Sequence, residues 1–298
     1  MPDVREYLKP EVVARLSRLD LVARLVVEGF ITGLHQSPYH GFSVEFSEYR
    51  PYMPGDATRD IDWKVFGKSD RLYVKQYEEE TNLKAYLLLD TSGSMAYGSG
   101  ALTKFQYATY LAASLAHLML RQRDAVGLMV FDEQMREYVP PRSRGSHLNT
   151  LLQALSRARP EGSDTNLAGS FHDLAERVVR RGLIIVLSDL LDDPDRALSG
   201  LKHFRHRKHE VIVFHILDPM ERDFAFDRET QFVDLESGAS VSTEPWQVAA
   251  EYRASVQETM HRFRKECRES LIDYVALDVE EPFDTALYNY LGKRKRRL

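Results

Sequence analysis

Asp90, Ser92 and Ser94 are the residues of this chain whose types and spacing best fit a chemical role. They follow a short apolar run at 83–89 and form the pattern Asp-x-Ser-x-Ser. Carboxylate and hydroxyl oxygens are ligands that Mg²⁺ prefers. Because serine hydroxyls are neutral, a divalent ion held mainly by them keeps positive charge and open coordination positions, which an outside carboxylate can fill. The pattern therefore predicts a docking site for an acidic group rather than a nucleophile.

Two more oxygen donors occur where loops meet the predicted sheet. Asp189 follows the aliphatic run 183–187 and Ser188, and Thr165 lies in a turn before a predicted helix. The carboxyl ends of parallel strands meet at one edge of a sheet, where ligands bind. We therefore expect a single cation site formed by Asp90, Ser92, Ser94, Thr165 and Asp189. The cation would be Mg²⁺, with Mn²⁺ or Ca²⁺ as alternatives, and an inert polar turn is the competing interpretation because Asp, Ser and Gly are common turn residues.

Apolar runs alternate with helical patterns after residue 82. This alternation predicts an α/β fold with a doubly wound, mostly parallel, Rossmann-like sheet that is covered by helices on both faces. The predicted strands span 83–89, 125–131, 183–187, 211–216 and 272–277. The predicted helices span 102–121, 146–157, 167–180, 194–206, 246–268 and 282–291. An antiparallel edge strand is expected at 136–139 and a short excursion at 231–234.

The sequence predicts two domains, residues 1–82 and residues 83–298, because the residue pattern of the first differs from that of the second. An apolar stripe predicts a helix over 10–34. Over 34–82, Gly, Pro and aromatic residues recur between short β-like segments, which predicts a small β-rich subdomain. In this subdomain charges of both signs surround aromatic residues, and the candidate contact residues are Arg50, Asp56, Arg59, Asp62 and Trp63. Such a network either pins the subdomain to the second domain or contacts a protein partner directly.

The composition excludes some classes of protein. The formal net charge is −5 and 29% of the residues are charged, so the whole-chain balance does not indicate a nucleic-acid partner. The longest aliphatic run, 183–187, is too short to span a bilayer, and the charged start of the chain does not resemble a secretory signal. We therefore expect no transmembrane segment, no nucleic-acid partner and a cytoplasmic location.

Catalysis is the less favoured function. An Asp after a buried strand can act as a phosphoaspartyl nucleophile, but that chemistry usually needs a second carboxylate two residues later, where this chain has Ser92. Neither a Gly-x-Ser-x-Gly elbow nor a phosphate-binding Gly-x-x-x-x-Gly-Lys-Ser/Thr loop is present. We expect a protein that is not an enzyme, and a Mg²⁺- or Mn²⁺-dependent phosphohydrolase is the alternative.

The order of the five candidate ligands resembles the metal-ion-dependent adhesion site of von Willebrand factor A domains. The resemblance covers roughly residues 83–291. It implies that Ser92, Ser94 and Thr165 ligate Mg²⁺ directly or through a water, and that Asp90 and Asp189 act largely through bound water.

The N-terminal part of the chain is similar to the bacterial family called domain of unknown function 58, a von Willebrand A-like group. The residues that carry this similarity are Ser37-Pro38, Gly41, Glu45-Phe46, Glu48, Arg50-Pro51-Tyr52, Pro54-Gly55-Asp56, Arg59 and Ile61-Asp62-Trp63-Lys64. The resemblance implies an adaptor or co-chaperone that works with a MoxR-type AAA+ ATPase, since such genes are commonly neighbours. A metal-dependent scaffold unrelated to an ATPase is the other binding function that we consider.

Overall fold

The computed structural model describes residues 9–13, 18–36, 50–51, 66–67, 72–74, 84–161, 167–178, 181–235 and 238–288. The chain divides into two compact units, one formed by Met1–Gly33 with Leu83–Leu298 and the other by Leu34–Asn82. The smaller unit ends at Asn82, and the N-terminal helical segment belongs to the larger unit. In the smaller unit, strands β1 (Arg50–Pro51) and β2 (Tyr73–Val74) pair antiparallel.

The larger unit is built on a six-stranded sheet. Its strands are β3 (Lys84–Asp90), β4 (Ala125–Phe131), β5 (Met135–Arg142), β6 (Leu183–Ser188), β7 (Glu210–Leu217) and β10 (Asp273–Asp278). They lie in the order β10-β7-β6-β3-β4-β5, and every neighbouring pair is parallel except β4 and β5. The predicted α/β fold with a mostly parallel sheet is therefore confirmed, including the antiparallel edge strand.

The helices of the larger unit precede, connect and follow these strands. They are α1 (Pro10–Val13), α2 (Leu19–Gln36), α3 (Lys104–Arg121), α4 (His147–Arg157), α5 (Leu167–Arg177), α6 (Pro194–His206), α7 (Pro219–Asp223) and α8 (Pro245–Glu269), with a further helical segment at 283–288. The pattern over 10–34 predicted one helix, but the structure has α1 and α2, and residues between them lie outside the described ranges. Strands β8 (Thr230–Val233) and β9 (Ser240–Thr243) form a separate antiparallel hairpin.

The two faces of the sheet are buried against different helices. Leu88 of β3 shares an apolar cluster with Phe171 of α5, Phe204 of α6 and Phe263 of α8. Helix α3 contacts β3 and β4. Because alternate residues of a strand point to opposite faces, Leu87 is left for the face that α3 covers. Burial on both faces explains why the central strands are apolar along their whole length.

The order of the strands creates a switch point between β3 and β6. After β3 the chain runs to β4 and β5 on one side, and after β6 it runs to β7 and β10 on the other. Loops that leave two neighbouring strands in opposite directions open a crevice at the carboxyl edge of the sheet. Asp90 ends β3 and Asp189 directly follows β6, so the fold brings both acids to this crevice. Among the described residues, no helix is long and apolar enough to cross a membrane.

Candidate metal centre

Asp90 is oriented by contacts from two strand ends. It is the last residue of β3 and is fully buried. One carboxylate oxygen, Oδ1, accepts a hydrogen bond from the backbone N–H of Ser92 at 2.8 Å. The other, Oδ2, accepts one from the hydroxyl of Ser188, the last residue of β6, at 2.5 Å. Asp90 is therefore fixed both by its own loop and by the neighbouring strand.

Ser92 and Ser94 place their hydroxyls side by side. Ser92 precedes a short 3₁₀ helix, Gly93–Ala96, which contains Ser94. The two Oγ atoms lie 3.1 Å apart. Ser92 is fully buried, Ser94 is partly exposed, and the nearby Ser94 hydroxyl helps to lower the pKa of Asp189. The hydroxyl pair after β3 therefore lies beside the acid that follows β6.

Asp189 lies in a sharply bent part of the chain and contacts a buried lysine. The next residue, Leu190, is buried and has a left-handed backbone with φ of 52°, a conformation that is unfavourable for a bulky side chain. Asp189 Oδ1 accepts a hydrogen bond from the backbone N–H of Leu191 at 3.2 Å, and Oδ2 lies 2.7 Å from Nζ of Lys104. Both side chains of the ion pair are almost completely inaccessible to water.

Lys104 also contacts a second acid. Its Nζ lies 2.7 Å from Oε2 of Glu221 in α7 and 5.9 Å from the centre of the Tyr97 ring. Asp218, at the start of α7, accepts hydrogen bonds from the hydroxyl and the backbone N–H of Ser99 at 2.6 and 2.8 Å. The loop before α3 and helix α7 are thus joined beside the candidate site.

The two strand-end acids have pKa values shifted in opposite directions. Burial, and then the charge of Asp189, raise the pKa of Asp90 to about 7, although its hydrogen bonds favour the ionised form. Burial also opposes ionisation of Asp189, but the charge and the hydrogen bond of Lys104 lower the pKa of this acid below its usual value. The carboxylates of Asp189 and Glu221 raise the pKa of Lys104 against the effect of its burial. Lys104 and Asp189 therefore form a charged pair, whereas the hydrogen bonds described for Asp90 come from a backbone N–H and a hydroxyl.

The donor set fits a hard divalent cation. The side chains that meet at the switch point offer only oxygen ligands, which suits Mg²⁺, Mn²⁺ or Ca²⁺ and does not suit soft metals. Two buried carboxylates whose charges disfavour each other are also an arrangement that a divalent cation stabilises. Across the described residues, no group of three or more His, Cys, Asp or Glu side chains is arranged to hold a metal. Ser92 and Ser94 are therefore necessary members of any such site.

The structure brings together four of the five predicted ligands, namely Asp90, Ser92, Ser94 and Asp189. Thr165 lies outside the described residues, so its predicted role stays a prediction. The contacts expected in the N-terminal subdomain also stay predictions. Arg50 is described only as backbone in β1, and the other four candidate contact residues lie outside the described ranges: Asp56, Arg59, Asp62 and Trp63.

Three residues next to the site were not predicted from the sequence. Ser188 binds Asp90, Lys104 binds Asp189, and Glu221 binds Lys104. A signal for Lys104 does exist, because it precedes Tyr107 and Leu111 at helical spacing on the buried stripe of α3. A lysine on an apolar stripe needs a buried acid as a partner. Glu221 has no comparable signal, because its helix is short and mostly polar.

The topology and the residues at the switch point define a von Willebrand A-like α/β domain, as predicted. The family model for "Protein of unknown function DUF58" matches residues 48–265, and the chain belongs to this family. An uncharacterized protein of Mycobacterium tuberculosis is 28% identical over 261 residues, which cover 84% of this chain and 82% of that protein.

Two solved structures are similar to parts of this chain. An aerotolerance-related membrane protein from Bacteroides fragilis is similar with a TM-score of 0.50 and 18% identity, over 71% of this chain and 99% of that chain. The SpRpn10 VWA domain has a TM-score of 0.40 and 13% identity, over 70% of this chain and 94% of that chain. At these identities the first likeness concerns the fold alone.

Proposed function

We propose that this protein is a non-enzymatic, metal-dependent protein-interaction module. Asp90, Ser92, Ser94 and Asp189 would hold Mg²⁺, with Thr165 as the remaining predicted ligand, and an acidic side chain of a protein partner would complete the coordination. The observation that carries the proposal is the meeting of two buried acids and two hydroxyls, from the loops after β3 and β6, at the switch point of the sheet.

The charges around the crevice explain why the cation would be needed for an acidic partner. Asp189 and Glu221 both contact the ammonium group of Lys104, and Asp90 is close enough to Asp189 for their negative charges to disfavour each other. When both strand-end acids are ionised, this arrangement repels a carboxylate from outside. Bound Mg²⁺ supplies positive charge and a coordination position for the incoming oxygen. Cation and partner should therefore each raise the affinity of the protein for the other by the same factor.

The contacts of the hydroxyls favour binding over catalysis. The Ser92 hydroxyl is hydrogen-bonded to that of Ser94, and the carboxylate nearest to the Ser94 hydroxyl, that of Asp189, is already paired with Lys104. An activated serine nucleophile needs a general base in hydrogen-bonding contact that can accept its proton. The Asp189 carboxylate, whose pKa is lowered by Lys104, is a weak base for that purpose.

The identity of the partner rests on the family resemblance. Members of the family are expected to act as adaptors or co-chaperones of MoxR-type AAA+ ATPases, and we propose the same kind of partner for this chain. A metal-dependent scaffold that is unrelated to an ATPase would use the same site. A cytoplasmic location belongs to the proposal as well, and cell fractionation tests it.

The first experiment measures Mg²⁺ binding by titration calorimetry, with Asp90→Asn as the test variant. The substitution keeps the size of the side chain and removes its charge, so Mg²⁺ affinity should fall by at least about tenfold in a variant that is still folded by circular dichroism. Asp132→Asn is the matched control. Asp132 is also buried, directly follows β4, and accepts a hydrogen bond from Arg136 at 2.6 Å. Equal affinities in the wild type and Asp90→Asn would refute the proposed site.

The second experiment tests the partner. The tagged chain and a MoxR-type ATPase from the same genome are co-expressed, and the complex is captured in Mg²⁺ or in excess chelator. We expect capture only in Mg²⁺ and only with Asp90 intact. Binding that persists in chelator contradicts the mechanism, and the absence of an ATPase complex favours the scaffold. Metal-dependent hydrolysis of a generic phosphoester that Asp90→Asn abolishes would instead support the phosphohydrolase.

A further inference from the structure

Lys104 is a buried ammonium group in direct contact with the proposed cation site. Its side chain is inaccessible to water, and Nζ lies 2.7 Å from Asp189 Oδ2 and 2.7 Å from Glu221 Oε2. A charged lysine is stable in such a place only when acids compensate it. Lys104 is therefore a permanent positive charge at the edge of a site that would bind another cation.

The position of Lys104 is fixed by the start of α3. Thr103 caps this helix, and its hydroxyl and backbone exchange hydrogen bonds with Gln106 in a capping box. The backbone N–H of Lys104 donates to the carbonyl of Tyr97 at 2.9 Å. The loop passes so close to the helix that a Cβ on Gly98 would lie 2.6 Å from Cα of Thr103. These contacts fix the backbone of Lys104, and its side chain is fully buried between the acids that it contacts.

We propose that Lys104 sets the charge of the cation site, by neutralising Asp189 so that a bound divalent cation keeps the positive charge that attracts an acidic partner. This inference rests on the proposed function. Two free carboxylates would neutralise a divalent cation completely, which would strengthen cation binding and weaken the attraction for a further carboxylate. Because Lys104 already pairs with Asp189, this acid neutralises less of the charge of a bound cation. Cation binding is then weaker, and the attraction of the bound cation for a further carboxylate is stronger.

Replacing Glu221 should change the cation affinity in the direction opposite to that expected for replacing Lys104. Glu221 binds the same ammonium group of Lys104 as Asp189 does and carries part of its compensation. Without the charge of Glu221, Lys104 is compensated by Asp189 alone and adds more net positive charge to the site. The charge of Lys104 and that of Glu221 should therefore change cation affinity in opposite directions.

The experiment uses the full-length chain with two site variants, Lys104→Met and Glu221→Gln. Mg²⁺ affinity is measured by titration calorimetry at constant ionic strength. Binding of a fluorescent tetraglutamate peptide is measured by anisotropy in saturating Mg²⁺. Lys202→Met is the matched control, because Lys202 forms an ion pair with Glu266 at 2.7 Å on α6 and α8, outside the candidate site.

We expect Lys104→Met to bind Mg²⁺ about tenfold more tightly and the peptide at least about tenfold more weakly. Glu221→Gln should bind Mg²⁺ several-fold more weakly, and Lys202→Met should match the wild type. If Lys104→Met does not fold, the Glu221→Gln result decides, and an unchanged or higher Mg²⁺ affinity in that variant overturns the inference.

The outcomes separate this inference from the proposed function. If the wild type binds Mg²⁺ and Lys104→Met binds it no better, the inference about Lys104 is wrong and the cation site stands. If neither protein binds Mg²⁺, both are wrong. Mg²⁺ binding by Lys104→Met alone would support the electrostatic role of Lys104 and refute a Mg²⁺-dependent function of the wild type.

Discussion

Replacing Ser188 with alanine removes the contact that ties Asp90 to the neighbouring strand. Ser188 is fully buried, donates to Asp90 Oδ2 at 2.5 Å and accepts a hydrogen bond from the backbone N–H of Leu190 at 2.9 Å. A hydrogen bond to an ionised group contributes about 1.5–3 kcal/mol, and a buried N–H left without an acceptor costs about 1–3 kcal/mol. The lower bounds together predict that Ser188→Ala loses at least about 2.5 kcal/mol in the free energy of unfolding.

The assay is urea unfolding at about pH 8, where Asp90 is mostly ionised because its pKa is raised to about 7. Ser156→Ala is the matched control. The Ser156 hydroxyl donates to the carbonyl of Leu152 one turn earlier in α4, at 2.7 Å, and we expect a change within about 0.5 kcal/mol because alanine favours the helix. If Ser188→Ala is no less stable than Ser156→Ala, the assigned network around Asp90 is incorrect.

The loss of Ser188 should also weaken the cation site. A residue that orients a metal ligand typically changes metal affinity by about 10–100-fold when it is removed. We therefore expect Ser188→Ala to bind Mg²⁺ about tenfold or more weakly in calorimetry, at a temperature where the variant is fully folded. Unchanged affinity would mean that Ser188 supports the fold alone.

Two further predictions concern the scaffold. His209 is buried, its Nδ1 accepts a hydrogen bond from the N–H of Gly182 at 3.2 Å, and burial lowers its pKa. Because the unfolded chain binds the proton more readily, the wild type should lose stability relative to His209→Gln as the pH falls from about 7 to 5. Urea unfolding measures this, and a stability difference that does not change with pH would contradict it. A Cβ on Gly200 would lie 2.8 Å from Cβ of Phe171. Gly200→Ala should therefore lower the free energy of unfolding by about 1–2 kcal/mol, despite the better helix propensity of alanine. Gly145→Ala is the control and should not lower it, because a Cβ at that position meets open space.

The fold could be predicted because burial on both faces leaves a direct trace in the sequence. The run Leu183–Ser188 is continuously apolar up to its last residue, and β6 has these bounds. Strand β4 has the bounds that its apolar run predicted, and helix α6 begins at Pro194 after the capping residue Asp193. The hairpin of β8 and β9 was harder to predict. Its strands have four residues each and none of these is fully buried, so their sequences carry only a weak signal: β8 alternates between half-buried and exposed residues over only four positions, and β9 is almost entirely exposed.

The part of the candidate site that could be predicted is the part formed by residues at the ends of strands. Asp90 and Asp189 each follow an apolar run, and parallel strands bring such positions together. The contacts of Lys104 depend instead on how α3 packs against the loop after β6 and against α7, over sequence separations of 85 and 117 residues. No local pattern encodes a contact of that kind. What the sequence offers is an unexplained lysine on a buried stripe, which requires an acid without identifying it.

The unequal environments of the two acids determine which of them depends on a cation. Both Asp90 and Asp189 lie at the end of a central strand, where low polarity makes each unfavourable as an anion and each disfavours the other. Lys104 compensates Asp189 within the fold, whereas the described contacts of Asp90 are hydroxyl and N–H groups. A divalent cation would therefore stabilise the ionised form of Asp90 more than that of Asp189. For this reason Asp90→Asn, rather than a change at Asp189, separates cation binding from folding: it removes the acid that the fold leaves uncompensated and keeps the buried ion pair that holds α3 to the sheet.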